Sequence, residues 1–220
     1  MAVIAVLAGA AATYAFQRWR AERERRNVLL TRYLAQLQDA CESLWYRLRN
    51  LGYEGASVAS ERTYLVTTSM YTLARVLGIE RMLSLEGLYS EIWKRFPQLR
   101  EVVARRVVDD AVSTTMTRPG PELQQYDRVA LAEAAVERHG DGFRLATFLE
   151  FRRRVEGPES EWWEPARKAV AALENNRDRV KPLMETSKAL AVALSKVTDI
   201  DTKLEKERDP SEPEQTGRGF

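Results

Sequence analysis

The sequence predicts an all-α chain, a multi-helix bundle preceded by a single N-terminal transmembrane helix, and three observations predict it. Residues 1–16 (MAVIAVLAGAAATYAF) carry no charged side chain and run straight into an arginine-rich flank. Apolar residues over 27–51 and again over 180–197 recur at alternating intervals of three and four, the repeat of one helical face. No Pro or Gly interrupts the chain between Gly9 and Gly52, so nothing breaks a helix over that stretch.

The N-terminal run meets the requirements of a membrane anchor with little to spare. A spanning helix needs about 20 apolar residues, with a lower limit near 17. Gln17 and Trp19 suit the interface, and Arg18 can snorkel toward water, which extends the usable length. Arg18, Arg20, Arg23, Arg25 and Arg26 face only Glu22 and Glu24 on this flank. By the positive-inside rule that excess keeps the remainder of the chain cytoplasmic. A cleaved signal peptide carries its charge ahead of the apolar stretch, whereas here it follows. A buried helix of a soluble protein is the other alternative. Ala5, Gly9 and Ala12 supply small residues of the kind that let two such helices approach.

Four segments follow from this reading: an anchor over 1–18, a basic juxtamembrane segment over 19–26, a helical bundle over 27–200 and a flexible charged tail over 201–220. In the bundle, Leu30, Leu34, Leu37, Cys41, Leu44, Leu48 and Leu51 form a 4-3 seam, with Gly52 and Gly55 ending the helix. A second helix starts near Ser57 or Ser60 and carries Val66, Met70, Leu73 and Leu77, with a kink expected at Gly78. Leu88 to Phe96 is a third amphipathic stretch closed by Pro97, and 99–112 is expected as a further helix. Thr117-Arg118-Pro119-Gly120-Pro121 reads as a loop.

Residues 126–137 are expected as a helix ended by His139-Gly140, with Asp141 capping the next, which draws on Phe143, Leu145, Phe148 and Phe151. A helix over 160–173 is entered through Trp162 and Trp163, Asn175-Asn176 turns the chain, and a last helix shows Val180, Leu183, Ser187, Leu190, Leu194 and Val197. Beyond Ile200 the charged, Pro-containing composition suggests flexibility.

Composition narrows the chemistry. With 34 Lys and Arg against 32 Asp and Glu, the formal charge is +2, which argues against a dedicated nucleic-acid binder. One Cys and one His can build neither an internal disulfide nor a Cys/His zinc site. His139 reads as a helix-end residue in the helix dipole and Cys41 as a small apolar seam residue. Asp109-Asp110, Arg105-Arg106 and Arg152-Arg153-Arg154 read as solvated faces, and Trp162-Trp163 as one core and one interfacial ring. The most suggestive polar set is Tyr64, Thr68, Tyr71 and Arg75, spaced 4-3-4 on one face of the second helix. Hydroxyl donors beside a fixed cation could hold a polar or anionic ligand, or could satisfy one another inside a bundle. No catalytic or metal-ligating residue is singled out, and no cofactor is implied.

Arg62-Thr63-Tyr64-Leu65 through Leu73-Ala74-Arg75-Val76-Leu77-Gly78-Ile79-Glu80, the stretch 143–151 followed by Glu161-Trp162-Trp163-Glu164-Pro165, and the terminal amphipathic helix together resemble an uncharacterised bacterial family. Its members have one N-terminal membrane helix and an all-helical cytoplasmic body, with no assigned activity. The likeness covers 28–200, implies that architecture, and transfers no functional residue. The expectation is a membrane-tethered interaction or regulatory module at the inner face of a bacterial membrane. Membrane lipids would meet the five arginines, and the body would meet a protein partner or a second copy. Two alternatives are a ligand sensor or enzyme using the polar face of the second helix, and an effector that acts on the membrane in stress or defence.

Overall fold

The computed structural model describes the backbone of residues 2–55, 58–100, 103, 107–116, 123–140, 142–158 and 160–207, with side chains throughout except at 2–12, 59–60, 107 and 116. The described chain is mostly helical: α1 (Ala2–Arg49), α2 (Ala59–Leu85), α3 (Tyr89–Arg95), α4 (Val107–Met116), α5 (Gln125–Ala134), α6 (Phe148–Val155), α7 (Glu164–Ala171) and α8 (Arg177–Thr198), with one antiparallel hairpin of β1 (Val136–His139) and β2 (Gly142–Leu145) between α5 and α6.

The 48-residue α1 is one unbroken helix, about 70 Å long at 1.5 Å per residue. Every residue from 13 to 28 is exposed, and burial begins at Leu30. The helix therefore leaves the body as a stalk. The expected spanning segment 1–18 lies partly outside the description, since Met1 and the side chains of 2–12 are not described. Among the described residues no helix is long and apolar enough to cross a membrane.

From Leu30 onward the 4-3 seam is wholly consumed inside the monomer, packed against α2 and α8. Tyr33, Cys41 and Leu44 are fully buried there. Burying each large apolar side chain contributes about 1.5–3 kcal/mol, so this stripe is a substantial part of the stability of the body. The seam is thus no longer an argument for self-association, because its surface is already covered. Burial also raises the Cys41 thiol well above its ordinary range, assisted by Glu80 and Glu42.

α1 ends in a π-helical turn, Asn50–Glu54, stopped by Gly55 at φ +65°. Within that turn Gly52 lets the chain press onto α8: a Cβ there would overlap the Val180 side chain, meeting Cγ1 at 3.1 Å. α2 runs straight through Gly78, where a kink was expected. Here the missing Cβ admits a neighbour instead, since it would meet Val136 Cγ2 at 3.0 Å and the Ala132 carbonyl at 3.2 Å. Ser57, one expected start of α2, lies outside the described residues; the helix begins at Ala59.

The helix expected over 99–112 is replaced by a 3-10 turn, Pro97–Leu99, and by the shorter α4. Residues 101–102 and 104–106, including Arg105 and Arg106, lie outside the description, as does the loop 117–121. α4 includes the hydroxyl-rich Ser113-Thr114-Thr115, tolerated because Thr114 donates back to the Asp110 carbonyl at 3.0 Å. Its N-terminus is capped from a distance: the buried Glu80 carboxylate accepts the N–H groups of Val108 and Asp109 at 3.2 and 3.3 Å.

The largest departure from expectation is the hairpin. α5 stops at Ala134, and Val136 to Leu145 form two paired strands with His139 opposite Gly142. Gly140 follows β1 at φ +58°, the positive φ that tight hairpin turns favour. His139 is therefore an exposed strand end and not a helix terminus. Asp141 lies outside the description; Thr147 caps α6, accepting from Glu150 N. Trp162 and Trp163 close a 3-10 turn, Ser160–Trp163, that leads into α7. Asn175 adopts φ +54° and Asn176 caps α8, as a turn there requires.

The segment after α8 also departs from the expected tail. Leu204 is buried in a 3-10 turn, and Glu207 meets Tyr46 at 3.5 Å and Arg49 at 3.6 Å. Gln38, buried on α1, donates to the Ile200 carbonyl at 2.9 Å and accepts from Thr198 at 2.5 Å. Residues 201–207 are thus docked on the body, while 208–220 lie outside the description.

The close contact at Gly52 yields a prediction. Gly52→Ala should destabilise the fold by about 1–3 kcal/mol in urea unfolding, the usual cost of overpacking. Val180→Ala should recover part of that loss in the double variant, because the two sites share one volume. Additive losses would show that the close approach does not limit packing.

Candidate functional site

The stalk carries a dense array of exposed charge. Arg18, Arg20, Arg23, Arg25 and Arg26 are all exposed, and they encircle the helix, since successive residues advance about 100°. Phe16 and Trp19 lie in contact, ring centroids 5.9 Å apart, and both are exposed. The Arg23 guanidinium sits 5.5 Å from the Trp19 ring. An aromatic pair at the junction of an uncharged run and a cationic collar is the arrangement that suits a membrane interface.

The collar does not end with α1. α3 lies beside the base of the stalk, where Arg95 donates to Asn27 Oδ1 at 3.1 Å. Glu91 approaches Arg26 at 3.8 Å, and Glu22 approaches the same guanidinium at 3.9 Å. Between the two helices is an open cleft of about 870 Å³ with Trp19, Arg23 and Arg26 on one wall and Lys94 and Arg95 on the other. Sequence reasoning missed Lys94 and Arg95. Arg95 and Asn27 lie 68 positions apart, and only the packing of α3 brings the two basic groups together.

The polar set on α2 is placed differently. Thr68 is buried and its hydroxyl lies 2.8 Å from the Tyr64 carbonyl and 3.1 Å from that of Leu65. Tyr71 donates to the Ala146 carbonyl at 2.9 Å and packs against Phe148 and Phe151. Burial, only partly offset by Arg75, raises its phenol above the ordinary value. Arg75 pairs with Asp39 at 2.6 Å and lies over the Tyr71 ring at 5.8 Å. Tyr64 is exposed, with Phe148 edge-on and Arg47 5.9 Å from its ring. Tyr71 and Arg75 are brought together, Tyr64 meets Tyr71 only through the shared Phe148 ring, and Thr68 turns back onto its own helix. The hydroxyls of Thr68 and Tyr71 already serve backbone carbonyls inside the fold.

The remaining polar clusters divide between pairs that fix helices and side chains that lie exposed. Asp109 accepts from Arg128 at 2.6 Å, a half-buried pair that positions α4 against α5, whereas Asp110 is exposed. Among the described residues no group of three or more His, Cys, Asp or Glu side chains could hold a metal ion. Arg152 pairs with Glu156 at 2.7 Å, Arg153 is exposed, and Arg154 donates to the Ala134 carbonyl at 2.6 Å and to Glu137. Trp162 is 76% exposed, while Trp163 is half-buried and packs against the core.

Around the hairpin, charges alternate as Glu150, Arg144, Glu137 and Arg154. Glu137 and Arg144 are directly opposite across the strands, a favourable cross-strand pair. Glu150 receives Arg144 at 2.8 Å and the Thr147 N–H at 2.7 Å. Those bonds, Arg144 foremost, lower its carboxyl from 4.5 to about 2. A depressed carboxyl stabilises the fold above its unfolded value, and that contribution is lost as pH falls from about 4.5 toward about 2. In Arg144→Gln the Glu150 carboxyl, followed by NMR titration, should therefore rise toward the ordinary range. A value still near 2 would assign the shift to Thr147 alone.

The chain matches no family model, no curated protein and no solved structure.

Proposed function

We propose that the chain is a membrane-tethered helical interaction or regulatory module, inserted through its N-terminal run and held at the inner face of the membrane by its arginine collar. The observation that carries this reading is the form of α1. One helix leads from an uncharged N-terminus, through five exposed arginines, into the core of the body without a break.

The physical logic is that of partition. Residues 1–16 carry no charged side chain, while the flank that follows cannot enter hydrocarbon without a large cost. The run is short for a span, and placing Gln17 and Trp19 in the interface with Arg18 snorkelling brings it to length. Each arginine near anionic headgroups adds about 1 kcal/mol of attraction. The body then presents Tyr126, Leu149 and Trp162 to the aqueous phase, large apolar side chains that suit a protein partner.

Cell fractionation tests the reading. The full chain should sediment with membranes, remain there through a wash of about 1 M salt, where screening acts within roughly 3 Å, and be released by detergent. A chain lacking residues 1–16 should stay in the supernatant. Full-length protein that is monodisperse in the supernatant without detergent would overturn the proposal. Release by salt alone would replace insertion with electrostatic adhesion.

A further inference from the structure

We propose that the cleft between α1 and α3 binds the phosphate of an anionic phospholipid headgroup, so that the body docks on the bilayer at a second point beside its stalk. This rests on the membrane reading above and adds the lipid class and the orientation of the body.

Four cations converge on the cleft, Arg23 and Arg26 from α1 and Lys94 and Arg95 from α3. Its two carboxylates, Glu22 and Glu91, are both drawn to Arg26, at 3.9 and 3.8 Å. Among the described residues, no carboxylate lies within ion-pair distance of Arg23, Lys94 or Arg95. Arg95 instead donates to the neutral side chain of Asn27 at 3.1 Å. That bond fixes the guanidinium in place and leaves its charge uncompensated. Arg23 is likewise held, against the Trp19 ring. Two positioned guanidinium groups and an exposed lysine suit a phosphodiester, which arginine binds through paired N–H donors.

The occupant is committed by position. Asn27 lies nine residues beyond Arg18, a rise of about 13 Å along the helix. The headgroup layer spans roughly 5–7 Å of that distance, and the remaining gap is within about one Debye length, ~8 Å. Spanning helices tilt by about 20° on average, and a tilt toward α3 lowers Lys94 and Arg95 onto the phosphates. The cleft is also continuous with the collar, so a headgroup reaches it along one positive surface.

The test uses the full chain with Cys41 replaced by Ala and one label site, Ser90→Cys or Asp178→Cys. Ser90 is exposed one turn before Lys94 on α3, and Asp178 is exposed at the start of α8, near the far end of α1. Each labelled protein is reconstituted into phosphatidylglycerol or phosphatidylcholine nanodiscs bearing a headgroup quencher. The label at 90 should be quenched in phosphatidylglycerol and much less in phosphatidylcholine, and the label at 178 in neither. Lys94→Gln with Arg95→Gln should lower the docked-to-undocked ratio roughly thirty-fold, about five-fold per charge. Quenching at 90 that ignores both lipid charge and these substitutions, or none in phosphatidylglycerol, overturns the docking. Flotation with phosphatidylcholine vesicles reads the anchor separately: a chain that floats but does not dock loses this inference alone, and one that fails to float loses both.

Discussion

The packing of the α1 seam between α2 and α8 is the constraint on which the rest of the molecule depends. Because that seam belongs to the same helix as the stalk, the body cannot pivot about a linker; it is fixed to the helix by its own hydrophobic core. Gln38 reinforces this from the polar side. Its amide is almost fully buried, and it draws the end of α8 and the following turn onto α1. A buried amide with both ends bonded stabilises one register and penalises the others. α2 then acts as the second spine, holding α5, α7 and the hairpin on its outer side.

The polar chemistry of the body follows the same plan. Glu80 reaches from α2 to the first turn of α4, and Arg128 reaches from α5 to Asp109 in that turn. The short α4 is thereby tied to α2 and α5 through its orphan N–H groups and its first-turn carboxylate. Tyr71 does the same for the hairpin, tying Ala146 to α2 through a phenol whose pKa burial raises above the ordinary value. Groups that look like ligand-binding equipment along one helix face become fasteners once their neighbours are known.

What the sequence made legible was whatever depends on local periodicity. The 4-3 seams of α1, α2 and α8, the stop at Pro97 and the turn at Asn175 are all local signals, and all are present. The hairpin was missed because Phe143, Leu145, Phe148 and Phe151 also fit a helical stripe. The discriminating sign was the Gly140-Asp141 pair between two four-residue runs. Gly78 was misjudged for a different reason. A glycine inside a helix signals either a bend or a close neighbour, and only the position of Val136 decides between them. Lys94 and Arg95 had no local signal, since their meaning comes from lying beside a helix far away in the chain.

One consequence of the docked C-terminal turn concerns reach. Glu207 is clamped to Tyr46 and Arg49, 28 and 31 residues beyond Arg18 on one continuous helix, or roughly 42–47 Å along its axis. Glu207 is therefore held at the end of the body opposite the collar. The docked turn thus sits at a fixed height above the stalk's base, with the helix serving as a ruler.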